Sequence, residues 1–316
     1  MAKCYEKIAD LKAISKEEWL ELRKGGIGGS EAGAIVGLNP YSSAYSVYHE
    51  KLGLVESFEG NDKTRLGSDL EEYVAKRFEE ATGKRVRRLN AMLRSTEYPY
   101  MIADIDREVI GEDAGLECKA TSNFDGYKFD DGEYPAYWVC QCHHYMAVKG
   151  SKRWYLCVLD LSSGKLHVHT VERDEEEISA LALLEGSFWR ENVEKQVCPL
   201  PNGSEVCDSI LAEKYPMANE NMPSIDLMGY CNELERLAEI KAKIKPLEEE
   251  KAQLEQQLKE ALGEAPSGEY EQYKISYKNQ TSTRLDTKRL KQEMPEIYEQ
   301  YANESTSRRF LFSVKK

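Results

Sequence analysis

The sequence predicts an α/β (α+β) protein in which helices flank a mixed sheet, followed by a helical arm and a small tail that contains strands. Three observations indicate this organisation. Helical and strand-like periodicities alternate over roughly residues 1–200. Apolar residues then recur every seven positions over about 230–264. An alternating run of tyrosines follows, which is typical of a strand.

Length and composition are those of a folded chain. The protein has 316 residues, of which 41% are hydrophobic and 9% aromatic, and this is too rich in aromatic residues for a disordered protein. No segment approaches the ~20 apolar residues of a membrane helix, and the N-terminus lacks the apolar stretch of a signal peptide. The eight cysteines form no C-x-x-C pair, which favours reduced thiols over disulfides or a zinc ribbon. We therefore expect a cytoplasmic protein.

The formal net charge of −13 is unevenly distributed. Residues 265–316 hold 10 lysine and arginine residues against 7 acidic ones, so the acidic excess lies in residues 1–264. Binding to nucleic acid usually requires a basic surface, which counts against a DNA partner. A mostly acidic chain can still bind DNA in a local basic groove, and enzymes that bind metal ions carry carboxylates near the substrate. Charge alone does not decide the function.

Capping residues and apolar spacing predict the first three helices. Ser15 and Glu18 have the spacing of a capping box, and the helix that they open ends at Gly25. Ser30 could cap a second helix, whose first amide groups would favour an anion. Apolar residues at helical spacing predict a third helix over 67–81.

The rest of the first 200 residues continues the alternation. Two strand-like runs, at 98–106 and 115–121, flank turn residues and are interpreted as a hairpin. The elements expected after them are a helix from Pro135 to Gly150, strands at 153–161 and 165–171, and a long helix at about 174–197. Together these elements make one mixed domain.

We divide the chain into four parts: a mixed domain at 1–200, a proline-marked linker region at 201–229, a heptad arm at 230–264 and a small C-terminal module at 265–316. Leu237, Ile244 and Leu258 are among the heptad positions of the arm, and Lys251 and Pro246 interrupt its apolar seam. A helical hairpin and a coil between subunits both fit this pattern.

Asp106 and the triplet Glu117-Cys118-Lys119 form the most informative group of residues. Alternate side chains of a strand share a face, so Glu117 and Lys119 point together while Cys118 points into the core. A hairpin partner would bring Asp106 beside them. Two carboxylates are the hard oxygen ligands that Mg²⁺ prefers, and a neighbouring lysine can hold a water molecule or offset charge on a phosphate. For the triplet alone, an ordinary surface strand with a Glu/Lys pair is the alternative.

Two further polar residues are predicted on apolar helix faces. Glu71 shares a face with Val74 and Phe78, where an unpaired carboxylate is costly unless a cation compensates it. A solvated position at the edge of that face explains Glu71 equally well. Gln141 faces inward on its helix and needs hydrogen-bond partners there, and a satisfied core glutamine is the alternative.

Four motifs occur in order along the first 200 residues. They are W-x-x-x-R followed by G-x-S-E, then L-G-x-x-x-E, then D-x(10)-E-C-K, and last an aromatic helix with a central glutamine. In this order they resemble the lambda-exonuclease/YqaJ-type viral recombinase family of PD-(D/E)xK nucleases. The resemblance covers about residues 10–200. It implies a restriction-endonuclease-like core, so that residues 1–200 become a nuclease domain, and digestion of one strand of duplex DNA from its 5′ end with Mg²⁺ or Mn²⁺.

The resemblance also implies roles for individual residues. Asp106 and Glu117 match the metal-binding carboxylates, with the backbone carbonyl of Cys118 as a further ligand. The other matches are Lys119 as the catalytic lysine, Glu71 as the helical carboxylate, Gln141 as the active-site glutamine, and Arg23 with Ser30 as receptors of a 5′-phosphate. The family often has Pro-Asp-Gly where this chain has Ile105-Asp106-Arg107, which leaves Asp104 as a second candidate ligand.

By the same resemblance, the product is a 3′ single-stranded overhang for recombination by strand annealing. The implied partners are double-stranded DNA ends, a single-strand annealing protein and further copies of the chain in a ring-shaped trimer, in a phage or prophage protein of a bacterial host. An endonuclease on the same fold is one alternative, and a catalytically silent DNA-binding or assembly protein is another. A silent protein has no reason to keep Asp106, Glu117, Lys119 and Glu71 together.

Overall fold

A computed structural model describes residues 4–55, 62–122 and 125–314. The last two residues of the predicted C-terminal module, 315 and 316, lie outside the described residues. The chain divides into two compact units, Met1–Tyr215 and Pro216–Lys316. In the described part of the chain, no helix combines the length and the apolar character needed to cross a membrane.

The first unit alternates helices and strands, as predicted. Its strands are β1 (Tyr5–Asp10), β2 (Val86–Arg87), β3 (Ala91–Ser95), β4 (Ile102–Asp104), β5 (Arg107–Val109), β6 (Ala114–Thr121), β7 (Arg153–Asp160) and β8 (Leu166–Glu172). Its helices are α1 (Lys16–Lys24), α2 (Gly29–Ile35), α3 (Ala44–Lys51), α4 (Asp62–Thr82), α5 (Ala136–Lys149), α6 (Glu175–Ser187) and α7 (Glu205–Lys214).

The main sheet has the strand order β2-β5-β6-β7-β8. Its central pair, β6 and β7, is parallel, whereas the β5–β6 and β7–β8 pairs are antiparallel. A second sheet has the order β1-β3-β4 and is antiparallel. The mixed sheet with helices around it confirms the fold class that the sequence predicted.

Strand β7 explains why helices cover both faces of the main sheet. Trp154, Leu156 and Val158 point to one face and pack in a cluster with residues of α5 and α6. The alternate residues, among them Tyr155 and Cys157, point to the other face and pack with residues of α4. A strand that is apolar on both faces is buried on both faces, so the sheet lies between two helical layers.

The predicted hairpin between 98–106 and 115–121 is wrong in its first strand. Strand β4 ends at Asp104 and pairs with β3, where Ala103 lies opposite Leu93. The partner of β6 is the short strand β5, in which Arg107 lies opposite Leu116. Asp106 therefore lies between two short strands that belong to different sheets. The sequence showed one continuous apolar run and did not reveal this change of sheet.

The second helix begins before Ser30, contrary to the prediction. Its N-cap is Gly28, whose backbone amide donates to the Glu31 carboxylate at 2.7 Å. The Ser30 hydroxyl instead accepts from Arg23 at 3.3 Å, so it does not cap the helix. A side chain three residues into the helix thus satisfies the free amide that the serine was expected to satisfy.

The long helix predicted at 174–197 changes character after Ser187. A π-helical segment, Phe188–Glu194, continues from α6. Phe188 and Val193, which are five residues apart, both pack against a cluster with Ile27 and Val47. An α-helix would turn these two side chains to different sides, and the wider π turn brings them together.

Helix α7 lies inside the segment that was predicted as a linker. Cys207 and Ile210 of α7 are buried and pack with Tyr45 of α3. Two buried apolar residues anchor this helix, although the prolines and the Asn202-Gly203 pair around it gave the segment the appearance of a junction. The first unit accordingly extends to Tyr215.

The second unit consists of a long helix and short elements. They are a 3-10 turn at Met228–Tyr230, α8 (Cys231–Leu262), β9 (Ser267–Tyr270), β10 (Tyr273–Ser276), α9 (Thr287–Glu293) and α10 (Pro295–Tyr301). Strands β9 and β10 pair antiparallel. Helix α8 continues through Pro246 and has no buried residue.

Candidate active site

Strand β6 places Glu117 and Lys119 on one face, as the alternation of the strand requires. Lys119 Nζ lies 2.6 Å from Glu117 Oε1. Cys118 between them is partly buried and packs on the opposite face with Phe78 of α4. Helix α5 lies over the first face and contributes Gln141.

Gln141 connects the two β6 side chains. Its Nε2 donates to Glu117 Oε1 at 2.9 Å, and its Oε1 accepts from Lys119 Nζ at 3.0 Å. The same Nε2 donates to the hydroxyl oxygen of Tyr145 at 2.9 Å. Gln141 is therefore a satisfied buried glutamine whose partners are the candidate catalytic residues. The sequence analysis placed Tyr145 on the same helix face but did not single it out.

Asp106 belongs to the same cluster even though it does not lie on a strand. Its Oδ2 accepts a hydrogen bond from the backbone amide of Cys118 at 2.9 Å, which fixes it beside β6. Burial, and then the negative charges of Glu117 and Glu71, raise the pKa of Asp106 well above its ordinary value. The side chain thus occupies a site that is short of positive charge.

Asp104, the second candidate ligand, has a different environment. It accepts a hydrogen bond from Trp19 Nε1 at 3.0 Å. Trp19 also stacks on the guanidinium of Arg23, with 4.9 Å between the guanidinium carbon and the ring centroid. Asp104 therefore connects to the Arg23 region, and the carboxylate held against β6 is that of Asp106.

Lys119 keeps its charge in this buried setting. Burial alone would lower the pKa of Lys119, but the charges of Glu117 and Asp106 and the contact with Glu117 outweigh it and raise the pKa. An ammonium group therefore faces the two carboxylates at neutral pH.

One carboxylate oxygen of the cluster has no partner. Glu117 is 3% exposed, and among the described residues its Oε2 meets no hydrogen-bond donor. A buried oxygen without a partner is costly, and a bound cation would remove that cost. Asp106 and Glu117 are hard oxygen donors, so they fit Mg²⁺. No group of three His, Cys, Asp or Glu side chains suited to a metal occurs in the part of the chain that the structure describes. Backbone oxygens or water would have to complete the coordination.

Glu71 lies at the edge of the apolar face of α4, which is the second of the two positions considered from the sequence. Its side chain is 27% exposed and pairs with Arg107, and it lies 3.8 Å from Arg88 Nη2. Arg107 is almost fully buried, and its guanidinium also donates to the backbone oxygen of Asp106 at 2.7 Å. Arg107 thus links Glu71 to Asp106. In the sequence it was visible only as the residue that replaces the glycine of Pro-Asp-Gly.

Arg23 and Ser30 also lie together, as the resemblance implied. Arg23 Nη2 donates to Ser30 Oγ at 3.3 Å and to Glu31 Oε1 at 3.0 Å. Lys51 lies 2.7 Å from Glu31 Oε2 and donates to the backbone oxygen of Arg23 at 2.6 Å. The sequence analysis missed Lys51, because nothing in its spacing connects it to the glycine-rich segment. Two cations thus share one buried carboxylate beside the serine.

Comparison with known proteins identifies relatives of this chain. Residues 18–152 match the model of a YqaJ-like viral recombinase domain. The chain is 36% identical to the YqaJ protein of Bacillus subtilis strain 168 over 309 residues, which cover 96% of each protein.

Solved structures of exonucleases are similar to part of the chain. An alkaline exonuclease from Laribacter hongkongensis is 18% identical, with a TM-score of 0.48, over 58% of this chain and 94% of that protein. The same exonuclease in complex with dAMP gives 19% identity and a TM-score of 0.49 over the same shares. A phage-related exonuclease from Haemophilus somnus 129PT is 15% identical, with a TM-score of 0.43, over 56% of this chain and 99% of that protein.

The family follows from the sequence match. A relative that is 36% identical and aligns over 96% of both proteins shares the architecture of this chain from end to end. The matched domain, residues 18–152, contains every residue of the cluster around Glu117 and the Arg23–Ser30 pair. The protein belongs to the YqaJ-like viral recombinase family.

Proposed function

We propose that this protein is a metal-dependent deoxyribonuclease that digests one strand of duplex DNA from a 5′ end. The observation that carries the proposal is the buried cluster of Asp106, Glu117, Lys119 and Gln141 with its unpartnered oxygen, Glu117 Oε2. It combines two carboxylates with a charged lysine. Phosphodiester hydrolysis needs these groups, because charge must be neutralised at the phosphate and a water must be oriented.

Asp106 and Glu117 would hold the metal, together with the backbone carbonyl of Cys118. A bound Mg²⁺ or Mn²⁺ would supply a Lewis acid for the phosphate oxygens and lower the pKa of a water molecule. Lys119 would neutralise charge that develops on the phosphate, since its ammonium group already faces this site. Gln141 would hold Glu117 and Lys119 in register through its hydrogen bonds to both.

The Arg23–Ser30 pair supports action at an end. Arg23 is partly exposed and presents a guanidinium beside a hydroxyl group, which suits a terminal phosphate. A 5′-phosphate held there would orient the strand so that cleavage proceeds from that end. Removal of the 5′ strand leaves a 3′ single-stranded overhang, which is the substrate for recombination by strand annealing.

The same proposal includes partners and a cellular setting. A single-strand annealing protein would receive the overhang, and further copies of the chain would form a ring around the DNA. The protein would work in the cytoplasm of a bacterial host as a phage or prophage product. Helix α8 is the element that could serve assembly, because it exposes Ile244, Leu247 and Leu254.

Digestion of end-labelled duplexes tests the proposed function. We expect Mg²⁺-dependent release of label from the 5′ end, faster for a 5′-phosphate than for a 5′-hydroxyl, and no release when Ca²⁺ replaces Mg²⁺. A closed circular duplex should stay intact. Cleavage of the circle would instead support an endonuclease on the same fold, and the absence of hydrolysis on every substrate would support a silent DNA-binding protein.

A further inference from the structure

A cavity of about 660 Å³ adjoins the proposed active site. Ala120 and Thr121, which follow Lys119 on β6, line one side of it. Tyr137 and Trp138 of α5 line another side, and Tyr137 lies one helical turn before Gln141. The two elements that position the catalytic candidates therefore also form walls of this cavity.

Aromatic rings dominate the walls. Tyr127 and Phe129 are stacked, with 6.3 Å between ring centroids and 14° between ring planes. Tyr41 meets Tyr137 edge-on, with centroids 6.5 Å apart and an interplanar angle of 80°. Tyr41 is 63% exposed, so one ring is accessible from solvent at the cavity. Flat faces of this kind suit a flat aromatic ligand.

The charge of the walls excludes phosphate as the occupant. No lysine or arginine is present among the described lining residues, whereas Glu50 and Asp125 contribute carboxylates. Hydroxyl groups of Ser42 and Ser46 add further hydrogen-bonding atoms. Such walls would repel a phosphate but could bond to the edges of a nucleobase.

The cavity also reaches towards the Arg23–Ser30 pair. Glu50, one of its lining residues, lies close enough to Glu31 and Arg23 for their charges to act on its carboxyl group. The cavity thus has the proposed metal site on one side and the proposed 5′-phosphate receptor on the other. A nucleotide whose phosphates occupy those two basic positions would have its base at the aromatic walls.

We infer that this cavity is a stacking site for an unpaired nucleobase of the strand that is cleaved. The inference rests on the proposed function, because the position of the phosphates follows from it. A paired base presents its faces to neighbouring base pairs and cannot enter a cavity with walls on several sides, so the duplex must open where the strand enters. Because every base has an aromatic face, the site should accept all four bases.

Binding and photocrosslinking with Ca²⁺ in place of Mg²⁺ test the inference without depending on hydrolysis. The probe is a short 5′-phosphorylated duplex with 5-iodouracil, or an abasic unit, at the first or second position of the 5′ strand. We expect crosslinks to peptides that contain Tyr41, Tyr127 or Tyr137. We also expect the abasic probe to bind about 10-fold more weakly than the intact one.

Tyr41→Ala should bind the intact probe more weakly and lose the discrimination against the abasic probe. Tyr73→Ala is the matched control, because Tyr73 is 47% exposed on α4 and does not line the cavity. Crosslinks confined to other peptides, or equal binding of both probes by the unaltered protein, would overturn the inference.

Hydrolysis of the same probes with Mg²⁺ separates the two proposals. Mg²⁺-dependent hydrolysis without any effect of the abasic unit would refute the stacking site alone. Specific crosslinks and abasic discrimination without hydrolysis would refute the nuclease and support base binding at the cavity. Absence of any binding would overturn both.

Discussion

The side-chain amide of Gln141 donates to Glu117 Oε1 at 2.9 Å while its oxygen accepts from Lys119 Nζ at 3.0 Å. One neutral side chain therefore holds an anion and a cation in fixed positions. Gln141→Leu should leave both charges in the site without this restraint. We expect kcat for DNA digestion to fall about 10- to 100-fold with little change in KM, since a single hydrogen-bonding group in an active site contributes at about that level.

Steady-state digestion of a labelled duplex measures this effect. Gln300→Leu, an exposed glutamine on α10, is the matched control and should behave as the unaltered protein. An unchanged kcat for Gln141→Leu in a folded protein would show that the hydrogen bonds of Gln141 only satisfy the core.

Arg23→Ala should remove most of the preference for a 5′-phosphate. Arg23 Nη2 lies 3.3 Å from Ser30 Oγ, and its loss removes the cation from this pair. Slow digestion of 5′-hydroxyl duplexes should change little, because that substrate makes no use of the pocket. Competition between 5′-phosphorylated and 5′-hydroxyl duplexes gives the ratio directly. Lys24→Ala is the control, since Lys24 pairs at the surface with Glu21. Equal slowing of both substrates would make Arg23 a general backbone contact.

The buried His144–Glu185 pair should make stability depend on pH. His144 Nδ1 lies 2.9 Å from Glu185 Oε1, both side chains are fully buried, and His144 Nε2 donates to the backbone oxygen of Ile102 at 2.9 Å. Burial lowers the pKa of His144, but Glu185 outweighs it and raises the pKa. Burial raises the pKa of Glu185. The folded protein thus holds a proton that the unfolded chain releases more readily.

The sign of the effect follows from linkage. The contribution of His144 to stability is fully present below about pH 6.5, the ordinary histidine pKa, and is lost as the pH rises through the raised folded pKa. Urea unfolding at pH 6 and pH 9 should therefore show a loss of stability that is smaller in Glu185→Gln. Glu176→Gln, exposed on α6, is the control. A loss of the same size in Glu185→Gln would contradict a shared proton.

Local patterns in the sequence predicted the elements well. The capping box of Ser15 and Glu18 is present in α1, and Glu117 and Lys119 share a face as the period of a strand requires. Both features depend on residues a few positions apart. The wrong hairpin has the opposite origin, because the choice of β3 as partner of β4 depends on residues distant in the chain. No periodicity within 98–106 contains that information.

The candidate site shows the same division. Asp106, Glu117, Lys119 and Gln141 could be named from ordered motifs, and the structure brings them together. Lys51 and Arg107 could not be named, because their roles arise from contacts across the fold with Glu31 and Glu71. A buried cation carries no local signal in the sequence until its partner is known.

The C-terminal unit should serve assembly and not hydrolysis. A chain that ends at Tyr215 keeps the whole first unit and should digest short duplexes, but it should lose oligomer stability or processivity. In the full chain, Leu254→Asp places a charge on the exposed apolar face of α8, where Leu254 is 52% exposed, and should weaken the oligomer. Light scattering measures the mass, with Gln253→Asp as the control. A folded but inactive truncated protein would assign the second unit a part in the active site.

The central claim is that Asp106, Glu117 and Lys119 form a hydrolytic site, and one measurement tests it most directly. It is the rate of Mg²⁺-dependent release of label from a 5′-phosphorylated duplex by Glu117→Gln and Lys119→Ala. Lys165→Ala and Glu172→Gln, which alter exposed residues of the same types, are the controls. The account predicts a loss of about 100-fold or more in both site variants with unchanged folding, and full activity in the controls. Activity close to that of the unaltered protein in either site variant would contradict it.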